Sequence, residues 1–181
     1  LVKMLKSSSP ETSLAVLMAI GNARSAAFNP ELQELITDSD ADLSLRRAAV
    51  RASLKIKTMA AEVIRQTKTQ QITVELRQTV AAGLHSSADQ ELRKMAHELF
   101  PLPEAKAGEQ LDSISELIGR KGDAKNGRLV FNTAGTCHKC HIVNKIGRNL
   151  GPDLSEIGSK LSRQAMLESI LFPSAGISHN Y

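Results

Sequence analysis

Leu45-Arg46-Arg47-Ala48-Ala49-Val50-Arg51-Ala52 sets a pattern that the chain repeats. Leu45-Arg46 with Ala49 and Ala52 is matched by Leu76-Arg77 with Val80 and Gly83, and by Leu92-Arg93 with Ala96 and Leu99. The copies lie 31 and 16 residues apart, near one helical hairpin and near half of one, which is the interval that stacked helix pairs produce. Small residues four and seven positions after the leucine let neighbouring helices approach closely. Outward from this pattern, apolar spacing predicts helices over 11–20, 31–37, 42–56, 58–66, 72–84 and 89–99. Their starts are marked. Pro30 ahead of Glu31 suits a first helical turn, and the run Asp38-Ser-Asp-Ala-Asp42 offers capping oxygens to the next helix.

Composition supports an all-α fold. Of 181 residues, 41% are hydrophobic and 23% charged, ordinary globular usage that fits neither a disordered nor a fibrous protein. Four Phe, one Tyr and no Trp argue against an aromatic-rich β-sandwich and against a base-stacking nucleic-acid surface. The longest apolar run, Leu14 to Ile20, is far short of the ~20 residues of a membrane-spanning helix. Residues 1–104 resemble HEAT-type α-solenoid repeats, in units shorter and less regular than the usual ~40 residues. A plain helical bundle is the other reading of the same pattern.

The chain changes character after that region. Phe100-Pro-Leu-Pro103 stops a helix, because proline lacks an amide donor and biases its predecessor toward extended backbone. Residues 105–118 read as a linker closed by a short helix over 112–118, with Leu111, Ile114, Leu117 and Ile118 at helical spacing. Residues 119–181 hold eight of the 11 glycines and nine basic against four acidic residues, whereas residues 1–118 hold 14 basic against 15 acidic. A second unit of different architecture and basic character is therefore expected over 119–181. At the other end, Leu1 to Pro10 has no initiating Met and no apolar signal core, so we read it as internal to a longer polypeptide.

Cys137-His138-Lys139-Cys140-His141 contains both cysteines of the chain. Two cysteines three apart on a helical turn project to one side, where their sulfurs reach the two vinyl groups of a single haem and form thioethers. The histidine that follows falls beneath the porphyrin and ligates the iron. Three other readings exist. Structural zinc needs about four ligands, which would have to include distant His85, His97 or His179. A thioredoxin-like pair belongs at a helix start after a strand, and no strand pattern precedes Cys137. A disulfide across so short a loop is strained. Attachment of one haem c through Cys137 and Cys140, with His141 on the metal, fits the residues best.

The surroundings resemble a class I cytochrome c. Gly127-Arg-Leu-Val-Phe131 reads as the end of a short helix entering a haem crevice, and Gly147-Arg-Asn-Leu-Gly-Pro-Asp-Leu154 is similar to that family's glycine-proline loop. The resemblance implies that the carbonyl of Pro152 orients the His141 ring; on spacing alone Gly151-Pro152 is an ordinary turn. With Gly-Pro-Asp-Leu-Ser-Glu-Ile-Gly158 and Ile170-Leu-Phe-Pro-Ser-Ala-Gly-Ile177 added, the order of motifs resembles the haem-binding domain described from planctomycetes and verrucomicrobia. That family commonly places the domain after HEAT-like helices at the end of large secreted proteins, often behind a dehydrogenase-like β-propeller. Its distal Met-Pro segment and final helix would lie beyond Tyr181. Met166 stands mid-helix and reads as packing or haem contact, and His179 as a surface residue.

His138 is expected to face solvent, and His85 and His97 to be structural or surface groups of the helical region. Lys139, Lys145 and Arg148 crowd the motif as a solvated face, or as a surface that steers an acidic redox partner. No Ser–His–acid series, Walker loop, Rossmann fingerprint or HExxH accompanies the haem motif. The resemblance therefore implies an electron-transfer module that serves a redox partner or a fused dehydrogenase domain, in the periplasm or otherwise exported. Alternatives are a haem-based gas sensor with an open sixth position, or a scaffold that docks a partner on its helices.

Overall fold

Ser9 opens the first helix by accepting the amide of Thr12, and the same device recurs along the chain. The computed structural model describes residues 9–102 and 111–175, and these are mainly helical. The helical region contains α1 (Pro10–Ala23), α2 (Asn29–Thr37), α3 (Leu43–Ser53), α4 (Lys57–Lys68), α5 (Val74–His85) and α6 (Gln90–Leu99). After it come α7 (Ile114–Gly119), α8 (Ala124–Asn132), a two-stranded antiparallel ribbon of β1 (Ile142–Val143) and β2 (Ile146–Gly147), α9 (Ile157–Lys160) and α10 (Arg163–Leu171). Asp42 caps α3, Asp89 caps α6, Asp123 caps α8 and Ser162 caps α10, each satisfying amides that the first turn leaves without a partner. No helix among the described residues is long and apolar enough to cross a membrane.

Alternate helices pack side by side, α1 on α3 and α3 on α5, while α2 lies against α3 and α6 against α5. The repeated positions face inward: Ala49, Leu76, Val80 and Ala96 are all fully buried, among Leu17, Leu32 and Val63. The repeated arginines tie elements together. Arg46, itself buried, donates to the carbonyl of Ile36 and the hydroxyl of Thr73; Arg77 lies over the Phe100 ring; Arg93 donates to the carbonyls of Ser87 and Ala88.

The two largest departures from the spacing-based helix ends lie in α1 and α3. Helix α1 runs through Gly21 to Ala23, closed by Arg24 in the left-handed region at φ 51. Gly21 does not stop it, because a Cβ there would lie 2.8 Å from the Cα of Ala52, so the missing side chain serves the contact with α3. The span expected as one helix to residue 56 ends at Ser53, and Lys57 starts α4 afresh.

A second, smaller core joins the chain's two parts. It contains Ala81 and Ala82 of α5 with Leu102, Ile114, Phe172 and Ala175. Helix α10 packs on α7, and the 3₁₀ turn Pro173–Ala175 packs on α5. Arg51 and Thr79 both donate to the carbonyl of Ala175, at 2.8 and 3.2 Å. Residues 163–175, which the sequence assigns to the C-terminal unit, thus lie against the helical region. Residues 105–110 of the expected linker, and His179, fall outside the described residues.

Candidate functional site

The loop after α8 folds the cysteine motif back on that helix. Gly135 donates its amide to the carbonyl of Val130 at 2.8 Å, and Thr136 turns the chain in the left-handed region at φ 54. Cys137–Lys139 then form one 3₁₀ turn. With three residues per turn, positions 137 and 140 stand above one another. Both thiols are exposed and not joined as a disulfide. The carbonyl of Cys137 accepts the amides of Cys140 at 3.1 Å and of His141 at 2.9 Å, so the five-residue motif is one closed turn.

The ribbon reverses the chain immediately afterwards. Ile142 pairs with Gly147 and Val143 with Ile146, and the two residues between, Asn144 and Lys145, both have positive φ, the backbone that the tightest hairpins require. Gly147 (φ 121) is dictated by the crossing: a Cβ there would stand 2.0 Å from the carbonyl oxygen of His141. The chain then returns along the motif. Arg148 donates its amide to His138 at 2.9 Å, Leu150 and Gly151 donate to Cys140 at 3.0 and 2.8 Å, and Leu154 donates to Ile142 at 2.8 Å. The amide of Asn144 is taken by the Ser155 hydroxyl at 2.8 Å. That hydroxyl and the Ser155 amide also hold the Asp153 carboxyl below the usual carboxylate range.

This frame aims one imidazole. His141 Nδ1 lies 2.9 Å from the carbonyl oxygen of Pro152. A carbonyl can only accept, so Nδ1 carries the proton and the Nε2 lone pair is left for a metal. Gly151 makes room for the ring: a Cβ there would meet Cε1 at 2.7 Å and Nδ1 at 3.0 Å.

His138 is not turned wholly to solvent. Its ring is half-buried, with Nδ1 3.3 Å from the carbonyl oxygen of Phe131 at the end of α8, because the Gly135–Thr136 turn brings the motif against that helix. Lys139, Lys145 and Arg148 are exposed. Met166 is half-buried on α10. His85 and His97 sit in the helical region, ring against ring, and no group of three or more His, Cys, Asp or Glu placed to hold a metal is found among the described residues.

Packing is the other property of the site. Between Ile114 and Phe172 no residue is buried. Leu129, Val130, Ile146 and Leu150 are exposed by 60%, 44%, 42% and 74%. A cavity of about 360 Å³ opens between α8 and the ribbon, lined by Gly127, Phe131, Val143 and Ile146 among others. Spacing singles out the two cysteines and His141, and Gly147 enters the sequence reading only as the start of the family-like loop; the crossing that requires it and the backbone bonds to Cys140 exist only once the ribbon forms.

Residues 137, 140, 141 and 152 suit a covalently held haem in donor type and arrangement: two accessible thiols one turn apart, and an imidazole with one nitrogen fixed and the other available. No family model matches this chain, and no curated protein or solved structure is significantly similar to it.

Proposed function

We propose that residues 119–181 form a c-type cytochrome module that carries one haem and passes single electrons, mounted on a HEAT-like helical scaffold. The observation that carries this reading is the lack of any buried residue between Ile114 and Phe172, around a motif with two exposed thiols and an imidazole whose Nδ1 is held by a carbonyl. A segment that short buries too little apolar surface to fold unaided. Leu129, Val130, Ile146 and Leu150, exposed as they stand, are the side chains such a group would cover.

Cys137 and Cys140 would hold the group through thioether bonds and His141 Nε2 would ligate the iron. Bound haem supplies one-electron chemistry, since iron changes valence with little rearrangement. The chain's own part is positional. Pro152 fixes the His141 tautomer, Gly151 admits the ring, and the amides of Leu150 and Gly151 anchor Cys140. The side-by-side packing of α1, α3 and α5, with the repeated positions buried, supports the scaffold reading. A redox protein or a dehydrogenase domain fits as electron donor. Thioether attachment in bacterial cytochromes occurs outside the cytoplasm, which favours a periplasmic or otherwise exported setting.

The test is intact mass and absorption of protein matured in a host that attaches haem c. One added macrocycle and a haem spectrum that changes on reduction are expected; colourless protein without added mass would overturn the proposal. Avid carbon monoxide uptake by the reduced full-length protein would replace electron transfer with gas binding.

A further inference from the structure

The chemistry above makes no use of His85, the last residue of α5, yet it lies at the interface that holds the C-terminal segment. The ring is 0% exposed. Its Nε2 is 2.9 Å from the carbonyl oxygen of Phe100, so that nitrogen carries the proton, and Nδ1 is buried with no hydrogen-bond partner. Phe172, from the turn after α10, stacks on one face with centroids 5.5 Å apart and planes 25° apart. His97 of α6 meets the ring edge-on at 4.9 Å. Next to His85, the Ser86 hydroxyl donates to Glu168 of α10 at 2.7 Å.

The geometry points to His85 as a proton-sensitive latch: its neutral ring holds residues 163–175 on the helical scaffold, and its protonation releases them. The module with Cys137, Cys140 and His141 would then lose one of its two attachments, keeping only the chain that enters from α7.

A second proton can add only at Nδ1, where the new N–H would find no acceptor. A buried charge without a partner is costly. The charged groups around the ring do not offset this. Helix α5 itself contributes Arg77, over Phe100; α6 contributes His97 and Arg93; α3 contributes Arg51, bonded to Ala175. The carboxylates nearby act on other cations: Glu168 of α10, which accepts from Ser86 and Gln164, faces Arg51, and Glu116 of α7, which accepts from Ser113, faces Arg93 and His97. Burial accordingly pushes His85 below the ordinary histidine range, with a charge on His97 acting in the same direction and the Phe100 carbonyl opposing both. The folded state therefore binds fewer protons than the unfolded one in this window. Attachment is complete above the ordinary histidine value of about 6.5 and is lost as the pH falls below it.

The inference needs no haem and stands apart from the preceding proposal. Its test is hydrogen exchange of the full chain at about pH 7.5 and about pH 5.5, corrected for intrinsic rates. Amides of α10 should lose up to about tenfold of their protection at the lower pH, while those of α1 and α3 keep theirs. His85→Gln keeps an amide donor toward Phe100 but does not titrate, and should abolish the difference; His97→Gln should retain it. In the unsubstituted chain, the His85 ring resonance should titrate below the ordinary histidine value, with the same midpoint as the release. An unchanged α10 between the two pH values, a response that survives His85→Gln, or a ring that titrates without release would overturn the latch. If His85→Gln fails to fold, the ring titration decides alone.

Discussion

The His141 imidazole and the Pro152 carbonyl, 2.9 Å apart, are held together by a loop whose amides at 150 and 151 are bonded to Cys140. Gly151 is the narrow point of that arrangement. In Gly151→Ala the new methyl would meet the ring at 2.7 Å, so the ring must tilt away from the Pro152 carbonyl. Groups that orient a metal-bound histidine are typically worth 10–100-fold in metal affinity. In haem-loaded protein, Gly151→Ala should weaken histidine ligation by roughly that range, read as a higher acid midpoint for loss of the histidine-ligated haem spectrum. An unchanged midpoint would mean that the ring does not depend on this loop.

Replacing both Cys137 and Cys140 by alanine separates the two parts of the chain. Residues 120–161 have no buried residue of their own, whereas α1 to α6 share a core that includes Leu17, Val50 and Leu76. Limited proteolysis after expression under haem-attaching conditions should cleave the variant rapidly within 120–161 and leave the helical region intact. Equal resistance in the variant and the parent would show that the cofactor is not what orders this segment.

The helices could be read from the chain because their two signals are local. Apolar residues recur every three or four positions, and Asp42, Asp89 and Asp123 cap where side-chain oxygens were available. The ribbon over 142–147 could not: strands of two residues carry no alternation, and its turn uses Asn144-Lys145 without a glycine. Nor could the docking of Phe172 on His85, which pairs residues far apart in sequence by shape alone. At the site, residue types and spacing picked out Cys137, Cys140 and His141, and the family resemblance added Pro152. The half-burial of His138 and the need for Gly147 arise from tertiary crossings.

Acid should loosen α7 through a single carboxylate. Glu116 accepts the Ser113 hydroxyl at 2.6 Å and the Ser113 amide at 2.9 Å, closing the N-terminus of the helix. The Ser113 hydroxyl first, then the Ser113 amide, hold the Glu116 carboxyl below its usual value. A depressed carboxylate stabilises the fold above its unfolded value, here 4.5, and that contribution is lost as the pH falls through the lower folded value. Glu116→Ala should cost about 0.3–1 kcal/mol at neutral pH. The difference from the parent should shrink as the pH drops below about 4.5. Denaturant unfolding at neutral and acid pH measures both; a pH-independent difference would assign the effect to packing instead.

The close approach of α1 and α3 is tested at Gly21. A Cβ there would sit 2.8 Å from the Ala52 Cα and 3.2 Å from its Cβ, and the first of these is backbone, which cannot rotate aside. By helix propensity alone, Gly21→Ala would stabilise α1 by about 1 kcal/mol. Overpacking a filled contact costs about 1–3 kcal/mol, so the two effects oppose and the contact should prevail, giving a net loss of stability. Gly21→Val adds two methyl groups and forgoes most of the propensity gain, so its loss should be the larger. Thermal unfolding of the parent and both variants orders them. Stabilisation by alanine would show that α1 and α3 can separate by a few tenths of an ångström without loss of their shared core.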